Sequence, residues 1–161
     1  MIKYILILSC LYASLMSKSY DFVEYRYIDA LDKSIKLEGK ITFKKDYLSV
    51  FYPKSKKFLE YQNDNLIYKE NDVEISLNEM QSQKIMQYFE ILILLHNDDS
   101  YASEIFEIQK KDNKIILIPQ NEIKDYIQYI ELNKEHKELK KIIFFLQNAD
   151  KITIEIDNEI Y

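Results

Sequence analysis

The chain has 161 residues, of which 47% are hydrophobic and 14% aromatic, with one glycine, two prolines and a formal net charge of -5. This length fits one domain, and the scarcity of Gly and Pro excludes collagen-like and low-complexity chains. The acidic balance argues against a nucleic-acid partner, because binding to a phosphate backbone needs a stripe of Lys and Arg, and here the basic pairs alternate with acidic residues.

Residues 1–19 have the pattern of a secretory signal peptide. Lys3 precedes an apolar run that ends at Met16, and small serine residues follow. A run of this length is typical of a leader and is too short to span a bilayer as a helix. We therefore predict a cleaved leader and a secreted mature domain over residues 20–161. The alternative is that the apolar run forms a buried first helix of the mature fold.

Cys10 lies inside this leader, at the end of the tetrapeptide Ile-Leu-Ser-Cys, which resembles a lipobox. If Cys10 is acylated and kept, the protein is anchored at the outer membrane. If the leader is removed, the mature chain has no thiol, so its core alone must stabilise it. The sequence leaves both outcomes open.

Residues 20–77 predict an antiparallel meander. Between Leu37 and Lys44, apolar residues and glycine alternate with charged and polar residues, which is the period of a half-buried strand. Asn and Asp supply the turns, and Pro53 ends one strand. The other strands of this half are expected over residues 20–31, 48–52, 57–62, 66–70 and 73–77.

A single helix is predicted from Glu79 to about Leu95, with Asn78 or Ser76 as its N-cap. Its last turns are apolar almost all round, which indicates burial on more than one side. The polar run that begins at His96 is interpreted as the solvated break that ends the helix.

The strand pattern resumes after this helix. A single sheet of about ten or eleven strands must curl, because the twist between strands accumulates. We predict a mainly β (α+β) fold, a strongly curved antiparallel sheet or incomplete β-barrel with the central helix as a lid. The strands of the second half are expected over residues 105–110, 114–119, 126–133, 139–147 and 151–157.

The order of these elements resembles the periplasmic outer-membrane lipoprotein carriers of the LolA type, and the likeness covers residues 20–157. The family's opening meander is similar to LEGKITFKKDYLSVFYP and the following LEYQNDNLIYKEN. Its central helix resembles MQYFEILILLHNDD, and its next hairpin resembles FEIQKKDNKIILIPQNE. The closing hairpins are similar to YIQYIELNKEHKELKKIIFFLQNADKITIEI.

The resemblance implies an apolar cavity between sheet and helix that holds the acyl chains of lipoproteins or other lipid cargo. It also implies two partners, an inner-membrane ABC transporter that loads the cargo and an outer-membrane acceptor that receives it. The family's lid-latching arginine is matched here by Lys45, which is followed by Asp46. We expect a monomer that makes and breaks no bond and that needs no cofactor.

The predicted cavity lining consists of apolar and aromatic residues on the expected concave face. Met86, and with it Met80, would adapt to chains of different shape. The same residues would pack a solid core if the chain were a secreted binding module without a cavity. The predicted lining residues are Ile41, Phe43, Leu48, Val50, Tyr52, Tyr68, Met86, Phe89, Leu92, Ile116, Ile118, Phe144 and Ile154.

The sequence contains no pattern for catalysis. His96 and His136 are the two imidazoles, both in stretches that look polar and turn-like. Gly39 is the one glycine, so the chain has neither a glycine-rich phosphate loop nor the tight elbow that exposes a nucleophilic serine. We therefore predict a protein that is not an enzyme and has no metal site.

Overall fold

The computed structural model describes residues 17–97, 102–111, 114–136 and 138–160. Apart from its last three residues, the predicted leader with Cys10 lies outside these ranges, and so do Asp112 and Asn113, which stand between the strands expected over residues 105–110 and 114–119. Within the described ranges the chain forms one antiparallel sheet of eleven strands, two α-helices and two 3-10 helices.

The strand pattern read from the sequence is confirmed, with most ends within a few residues of the expectation. The strand expected over residues 73–77 is the exception, since it is shortened to the two residues Val73 and Glu74, which pair with the preceding strand. The helices are α1 (Glu79–Asn97) and α2 (Ala102–Ile105), with 3-10 helices at Asp29–Leu31 and Glu122–Asp125. The strands are β1 (Lys18–Ile28), β2 (Lys33–Lys44), β3 (Tyr47–Tyr52), β4 (Lys57–Gln62), β5 (Asn65–Glu70), β6 (Val73–Glu74), β7 (Phe106–Lys111), β8 (Lys114–Pro119), β9 (Ile127–Glu135), β10 (Glu138–Leu146) and β11 (Lys151–Ile160).

The sheet is made of two meanders that meet in the middle. Its strand order is β6-β5-β4-β3-β2-β1-β11-β10-β9-β8-β7, so β1 pairs with β11 and the outer edges are β6 and β7. The chain passes from one edge to the other through α1, which lies over the concave face. The predicted fold, an unclosed curved antiparallel sheet with a helix as lid, is confirmed.

Two hairpins in the first meander are closed by Asn-Asp pairs. The φ angles are 50° and 58° at Asn63 and Asp64, and 51° and 63° at Asn71 and Asp72. Two consecutive positive φ values define a type I′ turn, whose twist matches that of the flanking strands. Asn and Asp tolerate this conformation better than other residues with a side chain. A chain with a single glycine can therefore still make tight hairpins.

The lid helix α1 begins with a reciprocal cap. The backbone N–H of Gln81 donates to Oδ1 of Asn78 at 2.9 Å, and the backbone N–H of Asn78 donates to Oε1 of Gln81 at 3.4 Å. This geometry is that of a capping box and selects Asn78 over Ser76 as the N-cap. The helix continues to Asn97, so His96 belongs to its last turn and not to a break.

The core lies between α1 and the concave face of the sheet. The helix contacts β2, β3 and β10, and each large apolar side chain that it removes from water contributes roughly 1.5–3 kcal/mol. The buried core residues are Tyr20, Phe22, Ile41, Phe43, Leu48, Val50, Tyr61, Phe89, Ile91, Leu92, Leu95, Phe106, Leu117, Ile127, Ile130, Leu132, Leu139, Ile142, Phe144, Ile154 and Ile156.

The one glycine lies where strand β2 passes close to an aromatic ring. Gly39 pairs with Phe22 of β1, and the Phe22 ring meets the Tyr52 ring edge-on at 5.6 Å between centroids. A Cβ at Gly39 would stand 2.7 Å from the Phe22 ring and 2.6 Å from the backbone oxygen of Phe51. The missing side chain is therefore a packing requirement.

We expect Gly39→Ala to lower the free energy of unfolding by about 1–3 kcal/mol, because the added methyl group must displace the Phe22 ring or the backbone oxygen. Urea denaturation followed by circular dichroism measures the change. Lys40→Ala, on the exposed face of the same strand, is the control and should change stability by less than about 0.5 kcal/mol. An equal urea midpoint in Gly39→Ala and the unmodified chain would contradict this packing.

Candidate functional site

A first cavity, here called the strand cavity, lies beside the N-terminal half of α1. It is bordered by the helix, by strands β9 to β11 and by the 3-10 helix Glu122–Asp125, and its volume is about 520 Å³. Ligand sites usually enclose about 300–1,000 Å³, and most of their wall is apolar. The apolar and aromatic residues that line the strand cavity are Ile85, Tyr88, Ile91, Ile123, Tyr126, Ile127, Phe144, Leu146 and Ile152.

Polar side chains stand at the border of the strand cavity. Arg26 reaches it from β1, Lys84 from α1 and Asp125 from the 3-10 helix. The Lys84 ammonium lies over the ring of Tyr126, 5.4 Å from its centroid. Since Lys84, Asp125 and Tyr126 are all exposed, the cavity opens to the surface at this border.

A second cavity, the turn cavity, lies beside the C-terminal half of α1 and the turn between β2 and β3. Its volume is about 560 Å³, and its wall carries charged side chains, among them Asp46 and Glu90. Gln87, Ile91 and Ile123 line both cavities. The two spaces are therefore neighbours along one flank of the helix.

Most of the predicted lining residues lie in the solid core and not in a cavity. Phe144 lines the strand cavity. The His96 ring of α1 stacks on Phe43, and Phe89 and Leu92 of the same helix are buried in the same core. The predicted lining residues that are buried in the core are Ile41, Phe43, Leu48, Val50, Phe89, Leu92, Phe144 and Ile154.

The face assignment for strand β8 is corrected by the structure. Leu117 pairs with Ile130 of β9, and both are buried in the core. Because side chains alternate along a strand, Ile116 and Ile118 point to the convex face. All four residues from Ile115 to Ile118 are apolar, so the sequence pattern did not distinguish the two faces.

The remaining predicted residues lie at the margins of the core. Tyr52 and Met86 are half-buried and pack against it. Tyr68 is opposite Leu59 on the concave side, and its hydroxyl donates to Glu70 at 3.1 Å. Met80 has 67% of its surface exposed, so it lies outside the core and both cavities.

Lys45, the predicted lid latch, lies in the turn between β2 and β3 with an exposed side chain. Its backbone oxygen accepts a hydrogen bond of 3.0 Å from Nδ2 of Asn97, at the end of α1. The turn is thus joined to the lid through the main chain. Latching by the Lys45 ammonium group stays a prediction.

A charged pair lies beneath the lid helix. Glu24 is 2% exposed and accepts hydrogen bonds from Nε of Arg26 and, at 2.7 Å, from the hydroxyl of Tyr52. Glu24 and Arg26 occupy alternate positions of β1 and therefore share its concave face. The sequence signal was present, since these two charges continue the buried alternation of Tyr20 and Phe22 along β1.

Tyr88 of α1 completes what we call the buried polar cluster, together with Glu24, Arg26 and Tyr52. Its hydroxyl is sealed from solvent and has no hydrogen-bond partner among the residues that the structure describes. Burial, and then the charge of Glu24, raises the pKa of Tyr88 well above its ordinary value, so the hydroxyl keeps its proton. Its ring packs against Phe144 at 5.0 Å between centroids. Tyr88 also lines the strand cavity, so one residue of the cavity wall carries a buried donor that has no acceptor among the described residues.

His96 joins the end of the lid to the sheet, and its expected polar surroundings are corrected. Its ring stacks on Phe43 at 4.0 Å between centroids and with 7° between planes. Its Nε2 lies 3.4 Å from the hydroxyl of Tyr20. Burial lowers the pKa of His96, with smaller contributions from Lys18 and Lys134 in the same direction and opposing ones from Asn97 and Glu159.

The described part of the chain has neither a group of metal ligands nor a helix that could cross a membrane. No three His, Cys, Asp or Glu side chains come together there as ligands for a metal ion. Within the same residues, no helix has the length and the apolar character that crossing a membrane would require.

Comparisons with known proteins returned solved structures only. No protein-family model matches the chain, and no curated protein matches it. A LolA superfamily protein from Nitrosomonas europaea is similar to it with 10% sequence identity and a TM-score of 0.44, over 89% of this chain and 84% of that one. The domain of a putative outer membrane lipoprotein-sorting protein from Vibrio parahaemolyticus is similar with 8% identity and a TM-score of 0.35, over 96% of this chain and 90% of that one.

Removing the Tyr52 hydroxyl is expected to destabilise the fold. Tyr52→Phe takes one of two hydrogen bonds from a buried carboxylate, so the free energy of unfolding should fall by about 1.5–3 kcal/mol. Tyr27→Phe is the matched control, because the Tyr27 hydroxyl donates to an exposed carboxylate, that of Asp32. Equal urea midpoints for the two variants would contradict a structural role for the Glu24 hydrogen bond.

The pKa of His96 predicts how stability depends on pH. Because this pKa is lower in the folded chain than its ordinary value of 6.5, the unfolded state takes up the proton first as the pH falls. The His96 contribution to stability is therefore fully present above pH 6.5 and is lost as the pH falls below that value and through the folded pKa.

Replacement of the His96 ring tests this assignment. His96→Phe keeps the stack on Phe43 and should remove most of the loss of stability between about pH 7.5 and about pH 5.5. His136→Asn is the control, because His136 lies in an exposed turn with a positive φ that Asn tolerates. This variant should lose as much stability between the two pH values as the unmodified chain. Urea denaturation at both pH values measures this loss of stability. An unchanged pH dependence in His96→Phe would contradict the assignment of the loss to His96.

Proposed function

We propose that this chain is a non-catalytic carrier that binds the acyl chains of lipoproteins, or of another lipid cargo, in the strand cavity. The strand cavity itself is the supporting observation: an apolar space of about 520 Å³ beneath a helix, open at one border. A module with a solid core would have no such space. The size and the apolar wall suit an alkyl chain better than a polar metabolite.

The energetics of transport agree with this kind of site. Burial of an alkyl chain is worth roughly 0.8 kcal/mol per methylene, so a sixteen-carbon chain represents about 12 kcal/mol. A carrier must recover most of this free energy and still release its cargo. Polar groups at the border, such as Lys84 and Asp125, leave part of a bound chain near water and therefore favour exchange.

The lid is anchored unevenly, which favours opening beside the strand cavity. The C-terminal end of α1 is held by the stack of His96 on Phe43 and by the hydrogen bond from Asn97 to Lys45. The first turns of α1 are mostly exposed, and its buried residues begin at Phe89. We infer that the N-terminal half of the helix moves to admit a chain while the C-terminal half stays in place.

The proposed setting is the cell envelope. A secretory leader over residues 1–19 would deliver the chain to the periplasm, where the resembled family receives cargo from an inner-membrane ABC transporter and passes it to an outer-membrane acceptor. The lipobox-like tetrapeptide that ends at Cys10 favours a second role on the same fold, an anchored acceptor. The mass of the mature N-terminus distinguishes the two roles. An acylated Cys10 indicates the acceptor, and a free N-terminus after Ser17 or Ser19 indicates the carrier.

A cavity-filling variant tests the binding site. Ile123→Trp places an indole at the wall that the two cavities share, so it should weaken binding of a long acyl chain at least about tenfold. Ile143→Trp, on the convex face and also half-buried, is the matched control and should bind like the unmodified chain. Binding is measured by anisotropy, with delipidated protein and a fatty acid that carries a fluorescent group at its methyl end.

Two outcomes would contradict the carrier. One is the absence of saturable binding in the unmodified protein, and the other is an equal loss of affinity in both Trp variants. Native mass spectrometry of protein purified from its own periplasm without detergent identifies the cargo, because a bound acylated peptide, lipoprotein or phospholipid adds its own mass.

A further inference from the structure

Two members of the buried polar cluster that carry hydrogen-bond donors, Arg26 and Tyr88, line the strand cavity, and the charges of Arg26 and Glu24 balance each other. From this we infer that the cavity selects acyl chains whose carbonyl belongs to an ester or amide over chains that end in a free carboxylate. The inference rests on the proposed function and adds to it the chemical class of the head group. It follows from the partners of two side chains, Arg26 and Tyr88.

Arg26 supplies donors whose charge is already balanced. Its side chain is 48% exposed and lines the cavity, whereas the side chain of Glu24, its ionic partner, is 2% exposed. A guanidinium carries five N–H donors, and the hydrogen bond to Glu24 uses Nε. The remaining N–H groups can bind an acceptor at the cavity wall, while the Glu24 carboxylate neutralises the positive charge.

Tyr88 supplies a second donor, and it is one that the ligand-free protein leaves unused. Its hydroxyl is buried without a hydrogen-bond partner in the described part of the chain, although Tyr88 lines the cavity. A buried hydroxyl without a partner destabilises a fold unless something else uses it. A carbonyl oxygen that arrives as the N-terminal half of α1 moves would accept this hydrogen bond.

A free carboxylate fits this cluster less well. It would enter beside the Glu24 carboxylate, which is 2% exposed, so two negative charges would share one guanidinium, and the like charge of Glu24 disfavours an ionised ligand. A neutral carbonyl oxygen accepts the same hydrogen bonds and adds no charge. The exposed border charges, Lys84 and Asp125, have opposite signs and are screened by solvent, so they do not reverse this preference.

The test compares two ligands with the same alkyl chain, palmitic acid and monopalmitoylglycerol. Each competes with the fluorescent fatty acyl probe for the full mature protein, below the concentration at which the ligands form micelles. We expect the unmodified protein to bind the ester about tenfold more tightly than the acid, because the acid places a second negative charge beside Glu24.

Two variants separate the two donors. Tyr88→Phe should raise the urea midpoint of the ligand-free protein, because it removes the unpaired hydroxyl, and should weaken binding of the ester about threefold to tenfold. A merely structural tyrosine would not give these opposite changes. Glu24→Gln keeps an acceptor for Tyr52 but leaves the Arg26 charge unbalanced, so the preference for the ester should disappear or reverse. Glu38→Gln, on the other face of the sheet, is the matched control and should retain the preference for the ester.

The outcomes distinguish the two proposals. If neither ligand displaces the probe and the probe itself does not bind saturably, the carrier function fails and this inference fails with it. If the probe binds but acid and ester compete equally, or the acid competes better, the head-group selection is overturned and the carrier function stands. A tenfold preference for the ester that survives Glu24→Gln would also overturn it, because charge balance would then not be its cause.

Discussion

The pairing of β1 with β11 is the constraint on which the rest of the structure depends. It joins the two meanders and places the sheet edges, β6 and β7, ten strand spacings apart. Ten spacings correspond to about 48 Å along a flat sheet, and the 19 residues of α1 to about 28 Å. Curling of the sheet brings the edges closer, and the segment between β6 and β7 then crosses the concave face. The lid is thus a consequence of the strand order.

The interior beneath this lid is divided between a packed part and an open part. Towards its C-terminus, α1 contributes buried apolar side chains to the core and stacks His96 on Phe43 of β2. Towards its N-terminus the helix faces β9 to β11 across the strand cavity. The buried polar cluster stands where these two parts meet. The ion pair of Glu24 with Arg26, whose side chain is 48% exposed, contributes little net stability, so its position beside a cavity agrees with the proposed ligand recognition.

Much of the fold could be predicted from the sequence, because strand period and turn residues are local properties. The alternation from Leu37 to Lys44 and the cap at Asn78 were readable without tertiary information. The position of the cavity was not, since periodicity tells which face of a strand is apolar but not which part of that face the helix covers. His96 shows the same limit: its polar neighbours in sequence suggested solvent, but its stacking partner Phe43 is distant along the chain. Ile115 to Ile118 offered no alternation at all.

The seam between β1 and β11 also determines the order in which the chain can fold. Within each meander, neighbouring strands are joined by tight hairpins or short connections, so their contacts are local and form quickly. The seam instead pairs Ser19 with Ile160, and its formation closes a loop that includes nearly the whole domain, with the entropy loss that such closure entails. Until that late step both β1 and β11 are unpaired edges. In this transient state the unpaired edges of β1 and β11 can pair with another chain. Misassembly through these edges is no longer possible once the seam has formed.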